Sequence, residues 1–234
     1  MTDNTKFQVR SDANVRTSAV AIQKWGGLAS LLLGVVFIVP ELIYLMGNLR
    51  EANGPLAYAL ADFLYGPVRA ASLIMAVYAL REYLGERAPR QMSLALLAAT
   101  LAAVLFVTAA VFRATNRQYH LLHPELHLEN SQTVLIVWMT LVAGVIATGW
   151  HFLGWSLVLL GWAGWTSGLL PRVLSLLYLT VGALSLVIYL LPELEGGVIL
   201  LGVVASIWQG ILLLKAGSGE MPTPKINASQ ADLA

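Results

Sequence analysis

The sequence predicts an all-α polytopic transmembrane bundle of six helices with its N- and C-termini on the cytoplasmic side. Three observations carry that expectation. Of 234 residues, 58% are apolar and 12% are charged, whereas soluble domains hold about 45–50% and about 25%. Six apolar stretches reach the roughly 20 residues needed to cross a hydrocarbon core of about 30 Å. Lysine and arginine concentrate in one set of connecting segments, as cytoplasmic loops require. The same composition excludes other classes. With no cysteine there is no disulfide framework, thiolate metal site or CxxC redox pair. A net charge of +1 argues against nucleic acid as a partner.

Residues 1–18 are polar and mixed in charge and are expected as a flexible cytoplasmic tail. A six-helix transmembrane domain follows over 19–216, then a second tail over 217–234, rich in Gly, Ser, Pro and Asn. The first span, about 26–47, is long for a signal peptide and ends without a small-residue cleavage site, so it is expected as a retained anchor. The second, about 56–80, carries Asp62, Gly66-Pro67 and Arg69. A proline there frees a carbonyl and bends the helix. The third, about 92–113, repeats alanine at Ala95, Ala99 and Ala103, with Ala98 and Ala102 beside them. Small residues let helices approach closely in lipid, which predicts a central position for this one. The fourth, about 133–163, is too short for two spans and a turn, and reads as one tilted helix. The fifth and sixth cover about 173–192 and 197–214.

With the N-terminus inside, ten of the fourteen Lys and Arg fall on inner segments. Arg50, Arg113 and Arg117 fall outside and Arg69 within a span. Trp25, Trp162 and Trp165 then mark the inner interface and Trp138 the outer one. The tripeptide Pro-Glu-Leu recurs at 40–42, 124–126 and 192–194, always on the outer side. It reads as three helix boundaries, since proline suits a first turn and a carboxylate complements the positive helix end.

Ionisable side chains within spans face a cavity or a partner, so each is a candidate site residue. Glu41, Asp62 and Arg69 fall toward the outer side, with His151 beneath them, and predict an outward-facing polar cavity for a ligand. Asp62 and Arg69 share a helix face but lie about 10 Å apart along the axis. Arg69 is therefore expected to find its acceptor on another helix or in water. A haem would want a second histidine in a span facing His151, and there is none. In the outer loop, His120, His123 and His127 have the i, i+3, i+7 spacing of a three-ligand zinc site, though Pro124 interrupts the helix such a site needs. Arg113 and Arg117 on the preceding turn would suit lipid phosphates or anionic ligands. No lysine lies between Lys24 and Lys215, which excludes a Schiff base inside the bundle. No HExxH, P-loop or Rossmann glycine pattern occurs.

Gly161-Trp162, followed by Trp165-Thr166-Ser167-Gly168-Leu169-Leu170-Pro171-Arg172-Val173-Leu174, resembles the signature of a bacterial six-span integral membrane family known only as a domain of unknown function. Its pattern is a Gly-aromatic pair near a helix end, then a Ser-Gly-x-x-Pro-Arg loop into a small-residue helix. The similarity extends across most of residues 20–215 and includes Arg69; Ser175 stands where the family usually has glycine. The resemblance implies six spans in a bacterial inner membrane and brings no activity with it. The leading expectation for function is binding or transport of a small polar or amphipathic ligand, without catalysis and without a cofactor. Two alternatives stay open. One is an accessory or regulatory membrane subunit whose buried charges are purely structural. The other is a metal-dependent, membrane-embedded lipid-modifying enzyme using zinc on the histidine loop. The expected partners are the lipid bilayer and a small molecule, with a homo-oligomer or a membrane partner subunit left open.

Overall fold

The computed structural model describes residues 3–50, 54–84, 86–122 and 131–218. Every regular element among the described residues is helical. The elements are α1 (Asp3–Arg50), α2 (Pro55–Phe63), a π-helical turn (Leu64–Val68), α3 (Arg69–Leu84), α4 (Pro89–Leu122), α5 (Ser131–Ser167), α6 (Arg172–Val187), a 3-10 turn (Pro192–Leu194) and α7 (Glu195–Gly217). The π turn joins α2 to α3 without a break, so the described chain forms six rods. They close into a ring: α1 packs between α7 and α3, α3 against α4, α4 against α5, α5 against α6, and α6 against α7. The alanines of α4 are buried, as their spacing predicts, with Ala95, Ala99 and Ala102 fully enclosed. They face α3 and α5, however, and α4 takes a place in the wall of the ring instead of its middle.

Five rods contain stretches long and apolar enough to cross a membrane: Ser18–Met46, Leu56–Leu84, Pro89–Gln118, Ile136–Ser167 and Glu195–Gly217. Their outer faces carry exposed aliphatics such as Leu32, Val35, Leu97, Val104, Val137 and Leu200, an apolar coat that soluble monomers do not present to water. The sixth rod, α6, has 16 residues, or about 24 Å at the rise of an α-helix. The stretch expected as the fifth span, 173–192, is thus helical only to Val187. The Val187 carbonyl accepts the N–H groups of Leu190 (2.9 Å) and Leu191 (3.2 Å) and closes the last turn. The long fourth stretch is one helix of 37 residues. Helix α1 starts at Asp3 and therefore runs through the segment expected as a tail. Of the Pro-Glu-Leu tripeptides, the one at 192–194 forms a boundary before α7. Pro40 instead lies inside α1, where a single lost backbone bond is tolerated because neighbouring helices enclose the site. The tripeptide at 124–126 lies outside the described residues.

Two glycine sites fix how α5 and α6 meet. A Cβ added to Gly182 would lie 2.7 Å from the Val158 nitrogen and 2.8 Å from the Gly154 carbonyl oxygen, and one on Gly154 would lie 2.9 Å from the Gly182 oxygen. The helices touch backbone to backbone, the contact that small residues permit. Below this crossing α5 ends at Ser167, and Gly168 adopts φ +66°, the left-handed conformation that stops a helix without a Cβ clash. The Ser167 hydroxyl accepts the Leu169 N–H at 3.3 Å, and the Ser167 carbonyl accepts Nη1 of Arg87 at 3.1 Å. Pro171 then leads into α6. The Ser-Gly-x-x-Pro-Arg loop is thus tied to the α3–α4 connection. Replacing the solvent-exposed Arg87 by methionine is expected to lower stability by about 1 kcal/mol, read as a lower Tm of the detergent-solubilised protein.

Candidate functional site

Lys24, Arg172 and Lys215 mark one end of the bundle; the candidate site lies toward the other. It is built around Arg69, the first residue of α3, whose side chain is 0% exposed. Pro67 offers no N–H to the helix ladder, and the chain around it is wound as the π turn Leu64–Val68. Such a turn carries an extra residue relative to an α-helix. It sits between Asp62 and Arg69, and both side chains point into the bundle.

Arg69 donates from Nη2 to the Val36 carbonyl of α1 at 3.1 Å, and the same nitrogen lies 3.6 Å from Glu41 Oε1. Its acceptor is on another helix, as the sequence predicts. Four aromatic rings enclose the guanidinium: Tyr65 at 4.0 Å, Phe37 at 4.9 Å, Phe106 at 5.3 Å and Trp150 at 5.9 Å from the centroid. The π turn, α1, α4 and α5 each supply one ring. Ring faces attract a cation most strongly where water is excluded, so the cage compensates in part for Arg69's lost hydration.

Asp62, 3% exposed, is the centre of a second group. Its carboxylate lies 3.2 Å from Arg113 Nε, accepts Arg117 Nη2 at 2.6 Å, and accepts the Tyr44 hydroxyl. The Arg113 guanidinium sits over Tyr65 at 4.2 Å and Tyr44 at 4.8 Å, and that of Arg117 over Tyr58 at 5.1 Å. Tyr65 is therefore shared by Arg69 and Arg113, and the two groups form one cluster. Glu195, at the start of α7, is close enough to Arg69 and Glu41 to interact electrostatically with both.

Glu41, Asp62 and Arg69 are thus brought to one region, but in two different partnerships. Arg113 and Arg117, expected in a loop, are helical because α4 continues to Leu122, and their one-turn spacing aims both at Asp62. Sequence reasoning missed that pairing, the aromatic cage and Glu195. His151 is not brought to the cluster. Its Nδ1 lies 3.4 Å from the Leu186 carbonyl of α6, and its Nε2 accepts the Trp155 indole N–H at 3.2 Å. That pattern fits a neutral ring protonated on Nδ1. The reason is angular: Trp150 occupies the inward face of α5, and the next residue is turned about 100° from it, toward α6. His120 ends up in the last turns of α4, its side chain outside the described set, and His123 and His127 lie outside the described residues.

The cluster balances three guanidiniums against three carboxylates, yet not every donor has an acceptor. Arg69 Nε and Nη1 and Arg113 Nη2 are buried without a hydrogen-bond partner among the described residues. The side chains nearest the surface are accessible in part: Glu41 at 34%, Arg117 at 25% and Arg113 at 22%. Chemically, those free guanidinium N–H groups can take an oxygen acceptor, whether carboxylate, phosphate or carbonyl. No family model matches this chain, and neither a curated protein nor a solved structure does.

Proposed function

We propose that this is a six-span protein of the bacterial inner membrane, both termini cytoplasmic, that binds or carries a small polar or amphipathic ligand through the cluster around Arg69. The observation that supports this is the set of unmatched guanidinium donors, Arg69 Nε and Nη1 and Arg113 Nη2, behind partly accessible neighbours. A buried donor without an acceptor is costly, so a network that served packing alone would be expected to satisfy all of them. The ligand therefore presents an oxygen acceptor to the arginines. The Lys and Arg asymmetry supports the orientation. The Ser167-to-Arg172 loop, which resembles that of the six-span family, supports the count of spans and the bacterial membrane. Reading six spans requires α6 to cross with the turn that follows it.

The test is a thermal-shift panel of small carboxylates, phosphate esters and amides on the full chain in micelles. A ligand at 100 times its Kd stabilises by about 2.7 kcal/mol, so at least one compound should raise Tm clearly. The shift should vanish in Arg113→Gln, which leaves Arg69 and Asp62 in place. A second reading is favoured by one observation. Asp62 is fully engaged by Arg113, Arg117 and Tyr44, as a purely structural ionic lock would be. A panel with no shift at all decides for that accessory-subunit reading.

A further inference from the structure

The middle of the ring holds a second feature that does not depend on the ligand reading. Between α1, α3, α5, α6 and α7 lies a cavity offering about 30 Å³ to the centre of a water molecule. It lies next to the cage, and none of Glu41, Asp62, Arg69 or His151 lines it. Two of its walls are Phe37 and Trp150, stacked with centroids 6.0 Å apart, the same rings that help enclose Arg69. Another wall is polar. Gln209 is fixed there by donating from Nε2 to the Ala76 carbonyl at 3.0 Å and by accepting the Tyr178 hydroxyl on Oε1. Ser206, also buried, lines the cavity beside it. The second N–H of Gln209 and a lone pair on the Tyr178 oxygen are left over.

A water needs roughly 10–15 Å³ of such space and two to four polar partners. One or two waters fit, whereas an apolar site that takes benzene needs on the order of 150 Å³. We infer that this cavity is a hydration site in the core of the bundle. Its water is held between Ser206 Oγ, Gln209 Nε2 and Tyr178 Oη, and Phe37 and Trp150 separate it from the charged cluster. The water gives these three polar groups a shared hydrogen-bond partner. It also places a mobile hydrogen-bonding molecule directly behind the rings that hold Arg69.

X-ray radiolytic footprinting of the full chain in micelles, in water labelled with oxygen-18, tests this. Radicals formed from a water inside the protein oxidise the side chain beside it. Tyr178 should be labelled about fivefold faster in the parent than in Gly202→Val, which fills the space. Gly202 lines the cavity, and a Cβ added there meets only Phe37 Cε2, at 3.9 Å. Phe106, fully buried and not part of the lining, serves as the unlabelled control. A parent rate within about twofold of the Gly202→Val rate overturns the inference. Should Gly202→Val fail to fold, Ser206→Ala takes its place, since it removes one water partner and little volume. A drop of twofold or more then supports the hydration site, and a smaller one overturns it.

Discussion

Replacing Asp62 by alanine is expected to destabilise the protein by about 3–5 kcal/mol, the range for breaking a buried ion pair from one side. Asp62 is 3% exposed and is the common acceptor for Arg113, Arg117 and Tyr44. Its removal leaves two guanidiniums one helical turn apart with nothing between them, and the half-buried Tyr44 hydroxyl without its acceptor. Repulsion between the cations adds to the lost hydrogen bonds. The measurement is reversible unfolding in mixed micelles, following the loss of helix signal with denaturant. Glu41→Gln provides the contrast. Its carboxylate is 3.6 Å from Arg69 and one-third exposed, so the expected loss is below about 1 kcal/mol, as for accessible pairs. Equal effects at the two positions would contradict the partnerships described for them.

The second large effect is expected at the crossing of α5 and α6. Gly182→Ala introduces a Cβ within 2.8 Å of the Gly154 carbonyl oxygen and nearer still to the Val158 nitrogen. The obstructing atoms are backbone, so no rotamer change relieves the clash and the helices must separate along their length. Overpacking generally costs about 1–3 kcal/mol, and the absence of a flexible neighbour puts this substitution at or above the upper end. Gly144→Ala, on the partner helix α5 but with nothing within 4 Å of the added atom, should be neutral or slightly stabilising, because alanine is the better helix former. Paired Tm measurements on the two variants check both directions at once.

Much of the architecture was legible because it rests on local rules. Span length, the alanine repeat of α4 and the single long α5 all follow from composition and periodicity. So did the identity of Glu41, Asp62 and Arg69, since a charge in an apolar stretch stands out wherever it points. Partner choice was not legible. Arg113 and Arg117 lie at the edge of an apolar run, where the hydropathy signal fades, and only the continuation of α4 to Leu122 turns them inward. The cage around Arg69 draws Phe37, Tyr65, Phe106 and Trp150 from four separate elements, and no spacing along the chain connects them. His151 shows the complementary error. Its position in the fourth span suggested a place under the cluster, but a rotation of one residue around α5 sends it to the end of α6 instead. Register between helices is decided by close backbone contacts such as Gly154 with Gly182, which a single chain read in order does not display.

The early stop of α6 at Val187 gives this molecule an uneven rim. One stave of the barrel is shorter than the others, and Tyr189, Leu190 and Leu191 beyond it are exposed. If α6 crosses the bilayer, as the proposed six-span reading has it, acyl chains alongside that notch have less protein height to match than those along α4 or α5. The lipid leaflet should pucker toward the gap, at a cost of fractions of a kcal/mol for each ångström of misfit. On that reading, thinner bilayers should suit the α6 side while straining the opposite one.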